Sequence, residues 1–492
     1  MSQISIQNLT FRHAGNKDAI FENLNLSFDT NQKIAIIGRN GRGKTTFLEL
    51  LLGKHQYQGK IIGQVAFEYF PYTVKNVELL AIDIVEELFA ENALWKVQKN
   101  MQILELDNNI LYQKFITLSS GEQCKLLLAV LFAKENTFIL LDEPTNHLDI
   151  QTRKCVQNFL QRQKGFLLVS HDRDFIDNTV DFILAINRND IELQKGNFSS
   201  WWQNKQNQDA FELEQNKKLK KEIVRLQESA KQAQVWSDRV EKSKNGTKVA
   251  GLKVDKGRVG HKAAKMAKRS KVIENRKVQA ITQKSSLLKN IERKENVYLN
   301  NTDINGELLL SVQNLALFYE NRQIFQDINF TVEKGEKVAI CGTNGSGKTS
   351  LFKAILGKNL EYTGKIYLSS QLKISYISQK IEELEESIFE FADIYQLDKT
   401  KFLTLLSKLG FSRVQFDRQI NALSAGEKRK ILLAKSLCEE ANLYLWDEPL
   451  NYIDLYTRIQ IEEIVKDTSS TFIFIEHDAQ FVQNVATKRI YL

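Results

Sequence analysis

The chain repeats one set of motifs at a nearly constant offset, and this repeat constrains its fold more than any other feature. The segment 38–45 (GRNGRGKT) returns as GTNGSGKT, 304 residues later. The segments 118–122 (LSSGE), 140–144 (LLDEP) and 170–172 (SHD) return as LSAGE, LWDEP and EHD, at offsets of 305 to 306 residues. A repeat of this length is too long for a solenoid unit, so it indicates a duplicated domain.

Each copy carries the G-x-x-x-x-G-K-[ST] pattern of a phosphate-binding loop. A short β-rich run precedes it (33–37 and 337–341) and a helical pattern follows it (46–52 and 350–356), which is the context that this motif needs. Backbone N–H groups of such a loop surround phosphate oxygens, and the helix N-terminus adds a favourable dipole. The predicted ATP-binding residues are Gly38, Asn40, Gly41, Gly43, Lys44, Thr45 and Thr46 in the first copy, and Gly342, Asn344, Gly345, Gly347, Lys348, Thr349 and Ser350 in the second.

An aspartate that ends a second apolar run in each copy predicts a metal site. Asp142 and Asp447 directly follow such runs, and the hydroxyls of Thr45 and Thr349 end the phosphate loops. Oxygen ligands of this kind suit Mg²⁺, which neutralises charge during phosphoryl transfer. We therefore expect ATP and Mg²⁺ as the cofactors.

The residue after each of these aspartates is a candidate general base. Glu143 and Glu448 are placed to polarise the water that attacks the terminal phosphate, so the chain is predicted to be an ATPase. His171 and His477 lie 28 and 29 residues beyond the glutamate of their own copy, each after a β-rich run. A lone histidine is usually structural, but these two are interpreted as catalytic sensors of the γ-phosphate.

Taken together, these motifs resemble the nucleotide-binding domains of ATP-binding-cassette proteins, which have an α/β fold. Residues 118–123 (LSSGEQ) and 423–428 (LSAGEK) resemble the signature sequence of that family. The resemblance implies that the signature of one domain closes on the ATP held by the other, so that one polypeptide forms its own functional dimer and stays monomeric. The implied capping residues are Ser119 and Gly121 for the ATP at Lys348, and Ser424 and Gly426 for the ATP at Lys44.

Residues 143–149 (EPTNHLD) resemble the hallmark of the ABC-F subfamily, and 196–199 (GNFS) resemble the entry to its inter-domain linker. Proteins of this subfamily carry two cassettes on one chain, have no transmembrane domain and act on ribosomes. The implied architecture is two P-loop cassettes in tandem, at 1–200 and 305–492, joined by a long α-helical hairpin at 201–304.

The second copy departs from the family pattern at several positions. Residues 448–454 read EPLNYID, so the threonine and histidine of the hallmark are lost. The family's Q-loop glutamine has a candidate in Gln379, whereas Tyr72 stands at the matching place in the first copy. We therefore predict two unequal ATP sites.

The aromatic residue that stacks on adenine in this family also differs between the copies. Tyr319 is the candidate in the second copy. Phe11 and His13 are both candidates in the first copy, and the sequence does not choose between them.

Charge is segregated along the chain. The net charge is +8, but residues 201–300 hold 25 Lys and Arg against 11 Asp and Glu. Helical patterns at about 203–243 and 266–291, separated by the glycine-containing stretch 245–260, predict two helices in a hairpin. A solvated helix face would carry balanced charges, so this excess predicts a polyanionic partner; an anionic membrane surface would need a broad aromatic face. The rRNA-binding candidates are Lys244, Lys248, Leu252, Lys253, Lys256, Arg258, Lys262, Lys265, Lys268 and Arg269.

At the start of this segment stand Trp201 and Trp202. They are predicted to pack the base of the hairpin against the first cassette, with stacking on a base as the alternative.

Among ABC-F proteins the linker hairpin enters the ribosomal E site and points toward the peptidyl-transferase centre. The long linker here, with a Gly/Lys-rich tip, is similar to that of the Lsa/Vga-type antibiotic-resistance branch, and closest to Lsa. The resemblance implies contacts with large-subunit rRNA and P-site tRNA, and displacement of lincosamides, pleuromutilins and streptogramin A. A housekeeping ABC-F translation factor and the ATPase subunit of an exporter are the alternatives.

Membrane insertion and secretion are not expected. The longest apolar run, 126–133, is far shorter than the roughly 20 residues that span a bilayer. The four cysteines form no C-x-x-C pair, which favours buried thiols in a reducing compartment. A cytoplasmic location follows.

Overall fold

The computed structural model describes residues 3–13, 19–89, 94–146, 148–187, 191–242, 306–319, 322–343, 345–358, 360–381, 384–411 and 413–492. The chain divides into one unit of Met1–Trp201 with Glu295–Leu492, which holds both copies of the repeat, and a second unit of Trp202–Lys294. The rRNA-binding candidates, the linker tip, the second linker helix, Asn344 and the hallmark His147 lie outside the described residues.

The first copy is built from nine strands and six helices within its described residues. The strands are β1 (Gln3–Phe11), β2 (Phe21–Asp29), β3 (Lys33–Ile37), β4 (Gln58–Ile62), β5 (Ala66–Phe70), β6 (Thr137–Asp142), β7 (Phe166–Val169), β8 (Phe182–Ile186) and β9 (Ile191–Lys195). The helices are α1 (Lys44–Leu51), α2 (Ala81–Leu88), α3 (Leu94–Ile103), α4 (Ser120–Leu131), α5 (Ile150–Arg162) and α6 (Arg173–Thr179).

The second copy follows a similar order, without a counterpart of β9 and with one additional short helix at Arg413–Phe416. Its strands are β10 (Leu308–Tyr319), β11 (Arg322–Glu333), β12 (Lys337–Cys341), β13 (Glu361–Leu368), β14 (Ile374–Ile377), β15 (Leu443–Asp447), β16 (Thr471–Ile475) and β17 (Lys488–Tyr491). After the linker helix α7 (Phe198–Lys242), its helices are α8 (Lys348–Ile355), α9 (Ile388–Ile394), α10 (Lys399–Lys408), α11 (Arg413–Phe416), α12 (Ala425–Cys438), α13 (Leu455–Asp467) and α14 (Ala479–Val485).

The two copies share one sheet topology, except that the first has an additional antiparallel edge strand, β9. Each has a three-stranded antiparallel sheet, in the orders β2-β1-β4 and β11-β10-β13. Each also has a larger sheet with a parallel core, in the orders β5-β6-β7-β3-β8-β9 and β14-β15-β16-β12-β17. The central strands β3, β7, β12 and β16 are short apolar runs, as expected of strands buried on both faces. In the second copy one face packs against helices, and the other packs against α8 and the three-stranded sheet. The predicted α/β class and tandem duplication are confirmed.

The start of each signature helix follows from its sequence. The Ser119 hydroxyl accepts a hydrogen bond from Glu122 N, and the Glu122 carboxylate accepts one from Ser119 N, which forms a capping box for α4. Ser424 and Glu427 cap α12 in the same way. Such reciprocal bonds satisfy two N–H groups that a helix end otherwise leaves without partners.

The first predicted linker helix is present as α7, a 45-residue helix that would be about 65 Å long. Its predicted antiparallel partner falls on residues that the structure does not describe, so the hairpin is not shown. Among the described ranges, no helix is both long and apolar enough to cross a bilayer.

Candidate functional site

The two phosphate loops have the backbone that their glycines predict. Gly43 and Gly347 precede α1 and α8 with φ of 88° and 92°, in the left-handed region. A Cβ at Gly43 would lie 2.5 Å from Ile20 Cγ2, and one at Gly347 would lie 2.7 Å from Ile324 Cγ2. Both conformation and space therefore require glycine, as expected of a loop that leads into a helix N-terminus where an anion can bind.

The two loop lysines are buried and folded back onto their own loops. Lys44 Nζ donates to Gly38 O at 2.8 Å, and Lys348 Nζ donates to Gly342 O at 3.0 Å and Thr343 O at 2.8 Å. Burial lowers the pKa of both ammonium groups, because the charged form loses solvation. A phosphate would restore that lost stabilisation.

In the first copy the predicted Mg²⁺ ligands lie together. Thr45 Oγ1 donates to Asp142 Oδ2 at 3.0 Å, and Tyr69 Oη donates to the same oxygen at 3.0 Å. Burial raises the pKa of Asp142, which a nearby cation would reverse. The donor set of a carboxylate and a hydroxyl fits Mg²⁺.

The corresponding carboxylate of the second copy is a stronger argument for a cation. Asp447 is fully buried, and among the described residues only the Thr349 hydroxyl stabilises its charged form by hydrogen bonding, without reaching an ordinary hydrogen-bond geometry. Burial raises the pKa of Asp447 to about 6, and the Thr349 hydroxyl partly opposes this rise. A buried carboxylate with so little hydrogen bonding is costly, so Asp447 and Thr349 also fit Mg²⁺, which would neutralise the charge.

The candidate base of the second copy is held by three side chains. Gln379 Nε2 donates to Glu448 Oε1 at 2.8 Å, and Asn451 Nδ2 donates to Glu448 Oε2 at 2.5 Å. His477 Nε2 lies 3.5 Å from Glu448 Oε1. Burial acts to raise the pKa of Glu448, but His477, Gln379 and Asn451 outweigh it and lower the pKa to about 2. Glu448 is therefore an oriented, ionised carboxylate.

The candidate base of the first copy has a different environment. His171 Nε2 lies 3.3 Å from Glu143 Oε1, and burial together with the charge of Asp142 raises the pKa of Glu143 to about 8. Burial lowers the pKa of His171 well below its ordinary value. No hydrogen bond from a glutamine reaches Glu143 within the described residues, as one does in the second copy.

Strand register places Tyr72 and Gln379 at equivalent positions. The strand residue two before each of them pairs with the residue before the predicted Mg²⁺ aspartate, as Phe70 with Leu141 and Ile377 with Trp446. The presence of a glutamine beside Glu448, and its absence beside Glu143 in the described part of the chain, therefore follows from which residue occupies this one position.

Both candidate bases have an unusual backbone. Glu143 and Glu448 have φ of 51° and 48°, values that non-glycine residues seldom adopt. Their N–H groups donate to Val169 O at 2.8 Å and Ile475 O at 3.0 Å, two residues before the predicted sensor histidines. Backbone held in such a region in both copies is typical of a functional site.

The first phosphate loop meets the signature of the second cassette. Asn40 Nδ2 donates to Tyr452 O at 2.9 Å, and a Cβ on Gly426 would lie 2.6 Å from that same Nδ2. The predicted cap of the ATP at Lys44 by Ser424 and Gly426 is compatible with this contact.

At the other signature the counterpart of Asn40, Asn344, lies outside the described residues, and the neighbour nearest to Gly121 is a residue of its own cassette. A Cβ on Gly121 would lie 3.3 Å from Thr152. Across the interface, Asp149 is close enough to oppose the fall in the pKa of Lys348. The assignment of Ser119 and Gly121 to the second site remains a prediction.

A pair of arginines was missed in the sequence. Arg153 Nη1 donates to Asp172 Oδ2 and, across the interface, to His477 O, both at 3.1 Å. Arg458 Nη1 lies 3.4 Å from Asp478 Oδ2, beside the sensor histidine of its own cassette. The signal was available, because Thr-Arg at 152–153 returns as Thr-Arg at 457–458, at the offset of the other motifs.

The predicted base-stacking positions differ in exposure. Tyr319 ends β10 with 59% of its surface exposed. Phe11 is buried in the core of the first cassette, with the ring of His13 edge-on at 4.9 Å. His13 Nε2 lies 3.5 Å from Thr46 Oγ1 at the start of α1, so His13 is the better candidate in the first site.

A family model described as ABC transporter matches residues 21–146 and 325–451, which together are just over half of the chain. The chain belongs to the ABC transporter family, as an ABC-F protein with two ABC cassettes in tandem. Its cassettes bind and hydrolyse ATP.

Relatives match over nearly the whole chain. The ribosome protection protein VmlR of Bacillus subtilis (strain 168) is 29% identical over 491 residues, covering 96% of this chain and 84% of the relative. The ATP-binding protein Uup of Buchnera aphidicola subsp. Acyrthosiphon pisum is 29% identical over 514 residues, with 99% and 80% covered. The archaeal ribosome recycling factor aABCE1, solved with the stalk protein aP1, superposes with a TM-score of 0.63 at 19% identity, covering 98% and 87%, which shows a shared fold.

Proposed function

We propose that the protein is a cytoplasmic ribosome-protection ATPase that binds at the E site and displaces drugs from the peptidyl-transferase centre. The observation that carries this proposal is the similarity to VmlR along 96% of the chain, linker included. The drug classes proposed are lincosamides, pleuromutilins and streptogramin A, as the likeness to the Lsa/Vga-type branch implies.

The charge of the linker supports an rRNA partner. Residues 201–300 carry 14 more basic than acidic side chains, although the described start of α7 also contains balancing pairs such as Lys205–Asp209 and Lys218–Glu214. The excess of basic residues therefore lies mainly after residue 242, in the part of the linker sequence that contains the ten candidates between 244 and 269. Phosphate contacts of this kind make binding depend strongly on salt.

The proposed cycle uses the chain's own residues at the two composite sites. Lys44 and Lys348 bind the phosphates, and the signature of the opposite cassette closes over them. Glu448, held in its charged form, orients and deprotonates water. Glu143 takes that role at the first site in its ionised form, which a cation bound at Asp142 would favour over the protonated form. Mg²⁺, when bound at Asp142 and Asp447, supplies neutralising charge for the transferred phosphoryl group. ATP binding closes the cassettes into the ribosome-binding form, and hydrolysis permits release.

The equal identity to Uup, whose name specifies ATP binding alone, favours a second candidate function. In that case the chain is a housekeeping ABC-F translation factor that acts on stalled ribosomes without any drug. The two candidates share every step at the ATP sites and differ in the phenotype that they confer.

Expression in a susceptible Gram-positive host separates them. The wild-type chain is expected to raise the inhibitory concentration of a lincosamide at least fourfold, because drug displacement restores peptide-bond formation. The variant Lys44→Ala, Lys348→Ala, which lacks both phosphate-binding lysines, is the matched control and should confer no tolerance. An unchanged inhibitory concentration with the wild-type chain, at equal protein levels, would favour the housekeeping function.

A further inference from the structure

Arg39, in the first phosphate loop, extends to the second cassette. Its guanidinium carbon lies 5.9 Å from the centre of the Tyr456 ring, a distance at which a cation is attracted to an aromatic face. Gly410 borders the same guanidinium, since a Cβ there would lie 2.9 Å from Arg39 Nη1. The loop that binds the first ATP is thus in direct contact with an aromatic residue of the opposite cassette.

Tyr456 contacts a second aromatic residue, at the base of the linker helix. The rings of Trp201 and Tyr456 are 6.1 Å apart at 87°, an edge-to-face pair, and Trp201 also packs 5.9 Å from Phe198. Trp201 is 3% exposed and lies in the first turn of α7. Two of its ring contacts are with Phe198 and with Tyr456 of the second cassette, and its packing against the first cassette stays a prediction.

This arrangement belongs to the first composite site alone. At the equivalent positions of the other half, Thr343 replaces Arg39 and Gln151 replaces Tyr456. Neither replacement can form a cation–π or an aromatic pair. The second site therefore serves as an internal comparison, because its corresponding positions cannot form the contacts that Arg39 and Tyr456 make.

We propose that Tyr456 is a positioning residue that couples closure of the first ATP site to the base of the linker helix. Displacement of the first phosphate loop against the second cassette changes the Arg39–Tyr456 contact. The Tyr456 ring is rigid and is packed against Trp201, so its movement changes the seating of the first turn of α7. Packed side chains with defined alternative arrangements are a physical route for such coupling. The proposal rests on ATP binding by the cassettes and needs no ribosome.

The test measures linker movement and nucleotide affinity separately in the full-length chain. Spin labels are attached to cysteines introduced at Lys164 and Lys217, both exposed, after the native cysteines have been replaced, and their distance distribution is recorded with and without ATP. The background is Glu143→Gln, Glu448→Gln, so that ATP is not consumed. We expect an ATP-dependent shift in this background, in Tyr456→Phe and in the matched control Gln151→Ala.

Tyr456→Gln, which installs the residue of the other half, should lose at least half of that shift. Its apparent ATP affinity should fall no more than about thirtyfold, the upper range of a single cation–π contact. Arg39→Met, which removes the cation from the same contact, should also lose at least half of the ATP-dependent shift. The Arg39→Met, Tyr456→Gln double variant should lose no more of the shift than either single variant. A full shift in Tyr456→Gln, an equal loss in Tyr456→Phe, or no shift in the background chain would overturn the proposal. Because no ribosome is present, these outcomes are independent of the proposed function.

Discussion

Replacing both candidate bases, Glu143→Gln with Glu448→Gln, is expected to lower ATP turnover by about 100-fold to 10,000-fold, the usual contribution of a general base. Glutamine keeps the size of the side chain but cannot accept a proton from water. Phosphate release in the steady state measures the loss, and binding of a fluorescent ATP analogue should remain within about threefold of the unmodified chain.

The single variants should be unequal. Glu448 is ionised and hydrogen-bonded by Gln379, whereas Glu143 has no glutamine in that place, so Glu448→Gln should remove the larger share of turnover. Glu135→Gln, at an exposed carboxylate far from the phosphate loops in sequence, is the control and should leave turnover unchanged. Retention of more than a tenth of the turnover by the double variant would refute the assignment of both bases.

The second large effect concerns stability. Asp454→Asn should destabilise the second cassette by about 3–5 kcal/mol, the usual cost of removing one partner from a buried ion pair. Asp454 Oδ2 lies 2.8 Å from Lys430 Nζ, with the two side chains 0% and 6% exposed. Asparagine can still cap α13 by accepting from Thr457 N, so the loss isolates the charge. Calorimetry should show a lowered Tm for the transition of this cassette.

The first cassette supplies the comparison. Asp149 caps α5 through Thr152 N at 2.8 Å and makes no ion pair within the described residues, so Asp149→Asn should cost less than about 1 kcal/mol. Equal losses from the two substitutions would show that capping, and not the buried charge pair, accounts for the effect.

The pH dependence of this contribution has a definite sign. Burial opposes ionisation of Asp454, but Lys430 and Thr457 outweigh it and hold the pKa of Asp454 far below its ordinary value. A lowered pKa in the folded state means that the stabilisation is fully present above the unfolded pKa of about 3.9 and is lost as the pH falls through the folded pKa. The stability gap between Asp454→Asn and the unmodified chain should therefore be constant from pH 7 to pH 5 and should narrow below about pH 4.

The sequence predicted those parts of the sites that depend on local order. Strand, glycine loop and helix follow one another along the chain, so the positions of Lys44 and Lys348 could be read from spacing. Gln379 was likewise found because its strand ends just before it. From the sequence, the difference between the two candidate bases could be predicted only from the absence of a glutamine in the first copy. The opposite pKa shifts of Glu143 and Glu448 depend on burial and on neighbouring side chains in the folded chain.

Contacts between distant segments were not predictable in this way. The bond from Tyr69 to Asp142 depends on the register of β5 against β6, and periodicity alone does not set which residues face each other. Arg39 and Tyr456 are separated by more than 400 residues and meet only because the two cassettes dock. The arginines at 153 and 458 are an intermediate case, because their repetition was visible although their partners were not.

Sedimentation of the full-length Glu143→Gln, Glu448→Gln chain with ribosomes through a sucrose gradient tests the central claim most directly. With ATP, the trapped chain should migrate with the ribosome peak, and it should leave that peak when ATP is omitted or the salt concentration is raised. A chain that binds ATP but stays at the top of the gradient at low salt would contradict ribosome binding by the ATP-closed form.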